Sequence, residues 1–132
     1  MALSKFKVKD ALMTRFVTLN ASDTIGKAAE LLLEGQDREF LIQQNNEVVG
    51  VVGQAGIIMG IKKFGKDSSI TNIARKDFLP LNLEMELQDV YMKMLSNGDL
   101  ISPVFDKGQL VGVLDRENIN ELILIREALK DK

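Results

Sequence analysis

The side chains best placed to do chemistry stand together at Asp115-Arg116-Glu117-Asn118. They follow the apolar run Leu110-Val111-Gly112-Val113-Leu114 and precede the helix-periodic Ile119, Leu122 and Ile123. A helix start leaves backbone amides without partners, so short acceptors and anions collect there. Asp115 has the length and position to cap such a helix, and the same carboxylate is the candidate to face a ligand. Arg116 has two roles open to it, meeting a phosphate at the helix start or pairing with a nearby glutamate at the surface. Glu84 and Glu86 form a second carboxylate pair, but in a loop with no cleft around it, which argues against glycosidase chemistry. The chain has no His and no Cys, which removes imidazole bases, thiol nucleophiles, disulfides and the usual zinc ligand sets. No catalytic constellation and no metal site remain, so the chain reads as a non-enzyme.

Composition narrows the class further. At 132 residues the chain is a single domain's worth of sequence, long enough for two small halves to share a core. A net charge of -2 with both signs interspersed gives no broad basic surface, so nucleic acid is not expected as a partner. No apolar run approaches the roughly 18 residues of a membrane span, and the N-terminus lacks the apolar core of a signal peptide. The expectation is a soluble cytoplasmic domain without membrane insertion.

The elements that position the Asp115 cluster occur twice. Val48-Val49-Gly50-Val51-Val52 followed by Gly53-Gln54-Ala55-Gly56-Ile57 is a blunted copy, 62 residues earlier, of the run ending in Asp115 to Ile119. An ungapped shift of 62 also overlays Phe16 on Phe78, Leu19 on Leu81, Asn20 on Asn82, Leu33 on Leu95 and Asp37 on Asp99. Agreement of strands, helix faces and turns without a gap marks an internal duplication. In the first copy, residues 1–7 read as a solvated basic arm, Val8 to Met13 as a helical turn or structured lead-in, and Phe16 to Leu19 as a strand. Ser22 or Asp23 is the expected cap of a helix whose face is Ile25, Ala28, Ala29, Leu32 and Leu33, with Gly35 as a left-handed stop. Glu39 to Gln43 and Glu47 to Val52 are strands joined at Asn45-Asn46, and Ala55 to Phe64 is a second helix weakened by Gly56 and Gly60. Ser68-Ser69 reads as linker. In the second copy Asp106-Lys107-Gly108 makes the hairpin turn and Pro103 is expected to open its strand, where a missing amide does least harm. The closing helix runs from about Asp115 to Lys130 with Ile119, Leu122, Ile123, Arg126 and Leu129 on one face. Leu124 and Ile125 are left as apolar surplus for a partner chain to cover. The order strand-helix-strand-strand-helix, twice, is α+β, with the halves drawn at 1–64 and 65–132.

This tandem, with Gly in the last strand of each half just before a polar helix start, resembles a pair of CBS domains, the cystathionine β-synthase motif, from about Val8 to Leu129. The resemblance implies two pseudosymmetric halves packed sheet to sheet as a Bateman module. It also implies regulatory sensing of AMP, adenosine, ATP or S-adenosylmethionine in a cleft between the halves, with no cofactor required. Leu114-Asp115-Arg116-Glu117-Asn118-Ile119 and Leu124-Ile125-Arg126-Glu127-Ala128-Leu129 are also similar to the CBS pairs that end some site-2-protease-like membrane metalloproteases. That likeness implies an effector of that kind.

The family's ligand signature is Gly, an apolar residue, any residue, Thr or Ser, two residues, then Asp. Here Asp115 takes the hydroxyl position, which the family sets near the phosphate, and Asn118 takes the position of the ribose-binding Asp. Asn118 can hydrogen-bond a ribose diol or be solvated on the helix surface. Asp115 would repel a phosphate. Gly53 and Gly56 stand in the corresponding places of the first half and offer no side chain. Pro103 and Val104, with Leu41 and Ile42 as counterparts, match the strand that flanks the adenine. Two functions follow: a ligand-sensing module using Asp115, Arg116, Asn118, Pro103 and Val104, or a pair that has lost its ligand and serves as a homodimerisation platform.

Overall fold

Alternating Val-, Ile- and Leu-rich runs separated by tight turns form the strands, and the longer stretches with 3.6-residue periodicity form the helices. The computed structural model describes residues 5–130. Along the chain come β1 (Thr18–Asn20), α1 (Ile25–Glu34), β2 (Glu39–Gln44), β3 (Glu47–Gly53) and α2 (Gln54–Phe64). The second set is β4 (Leu81–Asn82), α3 (Leu87–Asn97), β5 (Ile101–Asp106), β6 (Gln109–Asp115) and α4 (Arg116–Lys130). Adding 62 carries the start of α1, β2, β3 and α2 onto the start of α3, β5, β6 and α4, so the duplication holds element by element. Each set forms a three-stranded sheet, β1-β2-β3 or β4-β5-β6, with one parallel and one antiparallel pairing. A register shift follows Ile42 in β2 and Val104 in β5.

The hairpin turns are as the sequence predicts. Asn45 and Asn46 at φ 51° and 66°, and Lys107 and Gly108 at 52° and 77°, are left-handed pairs whose twist suits two-residue hairpins. The α1 boundaries differ from expectation. Thr24, not Ser22 or Asp23, is the cap, its hydroxyl accepting from the Lys27 amide at 3.1 Å. The Asp23 carboxylate is engaged by the Asn20 amide at 2.8 Å. Gly35 is extended at φ -124°, so it ends α1 without a left-handed turn. Leu33, at the edge of the apolar stripe in the last turn, is 88% exposed. The first strand starts at Thr18 rather than Phe16, although the Val17 carbonyl still accepts from the Leu41 amide.

Packing regroups the repeats. The chain forms two compact units, one running from Phe16 to Phe78, the other combining the segment up to Arg15 with everything from Leu79 on. Each repeat therefore contributes its lead-in to the unit made by the other, a division the sequence repeat at 1–64 and 65–132 does not convey. The exchanged lead-ins make equivalent bonds. Val8 N–H donates to Met85 O and Ile70 N–H to Asp23 O, both at 2.9 Å, while Phe6 O and Ser68 O accept from the first amides of α3 and α1, Leu87 and Ile25. Val8 completes the core of Leu87, Val90, Met94, Val104, Leu114 and Ile119; Ile70 completes that of Ile25, Phe40, Ile42 and Ile57. Phe6 and Lys7 are thus tied down, while Lys5 is exposed as expected. Phe6 packs on the core with the Arg126 guanidinium 4.7 Å from its ring centre, and Lys7 and Lys9 each lie 3.1 Å from Glu84. Residues 1–4 of that arm lie outside the described ones. Ser68-Ser69 is likewise no passive linker, because Ser69 caps the 3₁₀ turn Ile70–Asn72.

These crossings explain the glycine repeated in β3 and β6. Met13 and Val113 exchange two backbone hydrogen bonds of 2.9 Å, as Arg75 and Val51 do at 2.8 and 3.0 Å. The lead-in backbone thereby lies directly over Gly112 or Gly50, where a Cβ would meet Met13 O at 2.5 Å or Ala74 Cβ at 2.9 Å.

Candidate functional site at the start of the last helix

The Lys107-Gly108 turn folds β5 and β6 into a hairpin that ends with Ile101 opposite Asp115. There the chain enters α4. The Asp115 carboxylate turns back over the first turn, Oδ1 accepting from the Glu117 amide at 2.8 Å and the Asn118 amide at 3.4 Å. The Arg116 amide donates to Leu100 O at 2.9 Å. The capping role is therefore realised. It places a full negative charge on amides that would otherwise attract an anion.

Pairing also sorts the strand residues. Facing residues of an antiparallel ladder share a side of the sheet, and alternate residues switch sides. Ile101, Pro103, Val113 and Asp115 are therefore on one face, and Ser102, Val104, Gly112 and Leu114 on the other. Asp115, Arg116 and Asn118 gather at the helix start, all partly buried, with Pro103 two rungs along on the face of Asp115. Val104 is separated from them: it is fully buried in the helix-side core. Arg116 makes no ion pair among the described residues, so the expected glutamate pairing is not formed.

Pro103 does not open its strand; it is third in β5, the central strand of its sheet. The geometry shows why this is tolerated. Its counterpart Leu41 donates to Val17 O, whereas β4 begins only at Leu81, one position later than β1 begins in its repeat. Without an amide at Pro103 the equivalent of the Leu41 bond is not made, and the pairing with β4 simply begins one rung later.

In the first repeat Gly53 caps α2 without a side-chain bond and Gly56 follows in the helix, so no carboxylate or amide marks that helix start. Ser102 was not foreseen. It occupies the position that Phe40 holds in the first repeat, is fully buried, and its hydroxyl has no hydrogen-bond partner among the described residues. Only its alignment with a large core aromatic of the first repeat could have signalled this. Glu84 holds Lys7 and Lys9, and their hydrogen bonds and charge keep its carboxyl below the ordinary glutamate range. That accounts for it structurally. Among the described residues no cluster of metal-ligating side chains occurs and no helix is long and apolar enough to cross a membrane.

Solved structures of similar fold are numerous. The CBS domain pair of protein MJ0100, in complex with 5′-methylthioadenosine and S-adenosyl-L-methionine, is 22% identical, with 89% of this chain and 95% of that chain covered at a TM-score of 0.79. A hemolysin-like CBS protein of Oenococcus oeni is 19% identical over 90% of each chain, TM-score 0.80. A CBS-domain protein of Agrobacterium tumefaciens is 19% identical over 89% of this chain and 98% of its own, TM-score 0.77. No curated protein matches. The CBS domain family matches twice, at residues 8–63 and 70–125, together most of the chain and in register with the two structural repeats. The chain belongs to the CBS domain family.

Proposed function

We propose that the chain is a regulatory module that binds an adenosyl ligand poor in phosphate through its second repeat and controls an attached or associated effector. The observation that carries this reading is the Asp115 carboxylate bonded to the Glu117 and Asn118 amides. It leaves the helix start acidic, so phosphate is repelled there while the neighbouring Asn118 amide group can still serve a ribose diol. The complex of a similarly folded CBS pair with methylthioadenosine and S-adenosylmethionine supports the ligand class, since neither molecule carries a phosphate. Arg116 and Pro103 complete the proposed contacts, and Val104 backs them from the core. CBS pairs generally regulate rather than catalyse, and no catalytic role is assigned to any residue here. The proposed assembly is a homodimer through the helices. The proposed effector is of the site-2-protease-like membrane metalloprotease kind, on the likeness of residues 114–129.

Calorimetric titration tests the ligand. Adenosine or S-adenosylmethionine should bind more tightly than AMP, and AMP more tightly than ATP. Asp115→Thr removes the negative charge, keeps a capping oxygen, and should raise AMP affinity about tenfold, roughly 1.4 kcal/mol. Tighter binding of ATP than adenosine would show that Asp115 is remote from the phosphates. Failure of both proteins to bind any of the four ligands would leave the dimerisation platform as the function.

A further inference from the structure

α2 carries two glycines, and packing explains one of them. A Cβ on Gly60 would lie 2.8 Å from Ile73 Cγ2, so the helix sits against Ile73 because that side chain is missing. A Cβ on Gly56 would meet Val52 Cγ2 at 3.7 Å, an ordinary contact among the described residues, and its helical backbone is open to any residue. Glycine weakens a helix relative to alanine. Gly56 therefore keeps a space empty at some loss of stability, the pattern of a position shaped by function.

That space belongs to a groove of about 370 Å³ lined by Gly56, Met59, Gly60, Lys63, Phe64 and Ile73. Small-ligand sites of this size are mostly apolar, with a few polar groups that fix orientation. Here the walls are methyl, methylene and ring surface, and Met59, exposed and flexible, can adapt to a chain laid against it. The charged group in the lining is Lys63. Its ammonium lies 5.3 Å from the centre of the Phe64 ring and forms no ion pair among the described residues, and α2 has no acidic residue to neutralise it. Adding 62 puts Asn118, Leu122 and Ile125 where the groove has Gly56, Gly60 and Lys63, so this combination is confined to the first repeat.

We infer that this groove binds an alkyl carboxylate of medium chain length, its chain along Gly56, Gly60 and Ile73 and its carboxylate at Lys63. Charge complementarity selects the head group: one unpaired cation suits a monoanion, whereas a polyphosphate would find a single lysine beside an apolar floor. The site lies wholly within the first repeat and its following turn, and it does not rest on the adenosyl reading of the second.

The test titrates the full chain with sodium octanoate, below its micelle-forming concentration, and follows the methyl resonances of isotope-labelled methionines. The Met59 methyl should shift saturably, while that of Met94, buried in the other core, should not. Gly56→Leu fills the space and should abolish the shift. Gly56→Ala should weaken octanoate without lowering Tm, separating binding from folding. Lys63→Gln should weaken octanoate about threefold, as expected for an exposed ion pair, and leave binding of 1-octanol unchanged. Lys63 is exposed, so this variant keeps the test decisive if circular dichroism shows Gly56→Leu unfolded. Absence of a saturable shift, binding retained by folded Gly56→Leu, or octanol bound as tightly as octanoate would overturn the assignment. So would a Met59 shift that follows protein concentration without octanoate, making a second copy the occupant. A shift produced by phosphatidylglycerol vesicles but not by octanoate would make a bilayer surface the occupant and equally refute it. The adenosyl titrations can fail without changing any of these outcomes.

Discussion

Replacing Gly112 with Ala tests the exchange of lead-ins most directly. The added Cβ would lie 2.5 Å from Met13 O and 2.7 Å from Leu12 Cδ1. The leucine can rotate, but the carbonyl belongs to backbone tied to Val113 by two hydrogen bonds of 2.9 Å. Relief requires the lead-in to lift. Overpacking of this kind typically costs about 1–3 kcal/mol, and each weakened backbone bond adds about 0.5–1.5 kcal/mol. A destabilisation of about 3 kcal/mol, or roughly 10 °C in Tm for a chain of this size, is expected. Urea unfolding should show a lower midpoint with an unchanged slope. Gly56→Ala is the control, because its Cβ meets only Val52 Cγ2 at ordinary contact distance; in the first turn of α2 it should not destabilise and should stabilise by up to about 1 kcal/mol. Adding Leu12→Ala to Gly112→Ala should not restore stability, since the decisive contact is with backbone. A neutral Gly112→Ala, or full rescue by Leu12→Ala, would refute the claim that the first lead-in lies over β6.

The remaining tests concern charge and buried polarity. Glu84 is held below its ordinary range first by hydrogen bonds from Lys7 and Lys9 and then by their charge. Its contribution is present above the unfolded-state pKa and is lost as pH falls through the folded one, so any stability gap between native protein and Glu84→Gln should close on acidification. At neutral pH that gap should also shrink in high salt, because the carboxylate is at the surface; a gap that widens in acid contradicts this. Ser102→Ala removes a buried hydroxyl without a partner among the described residues and should raise stability by about 1 kcal/mol in chemical denaturation. A loss of similar size would mean that the hydroxyl has a partner in solution. Asp115→Thr, read by AMP calorimetry, and Lys63→Gln, read by octanoate titration, complete the set.

Much of the fold is local and so legible in the chain. The hairpins announce themselves because Asn45-Asn46 and Lys107-Gly108 suit positive φ. The duplication is legible because both copies keep the same spacing from α1 to the last helix start, and the Asp115 cap because a short acceptor stands where a helical period begins. Other features depend on groups distant in sequence. The partner of each lead-in is one, since the sequence of Val8 or Ile70 specifies only an apolar turn and not whose core it fills. Pro103 in a central strand is another, accommodated because the pairing with β4 begins one rung later than its counterpart in the first repeat. Most telling is Gly112. From sequence it is a weak point in a strand; in three dimensions it is where the lead-in backbone takes the space that a Cβ would need. Periodicity and turn chemistry act over a few residues and are written in order along the chain. Close approach between segments about a hundred residues apart is set by how the cores close, and only the folded structure decides it.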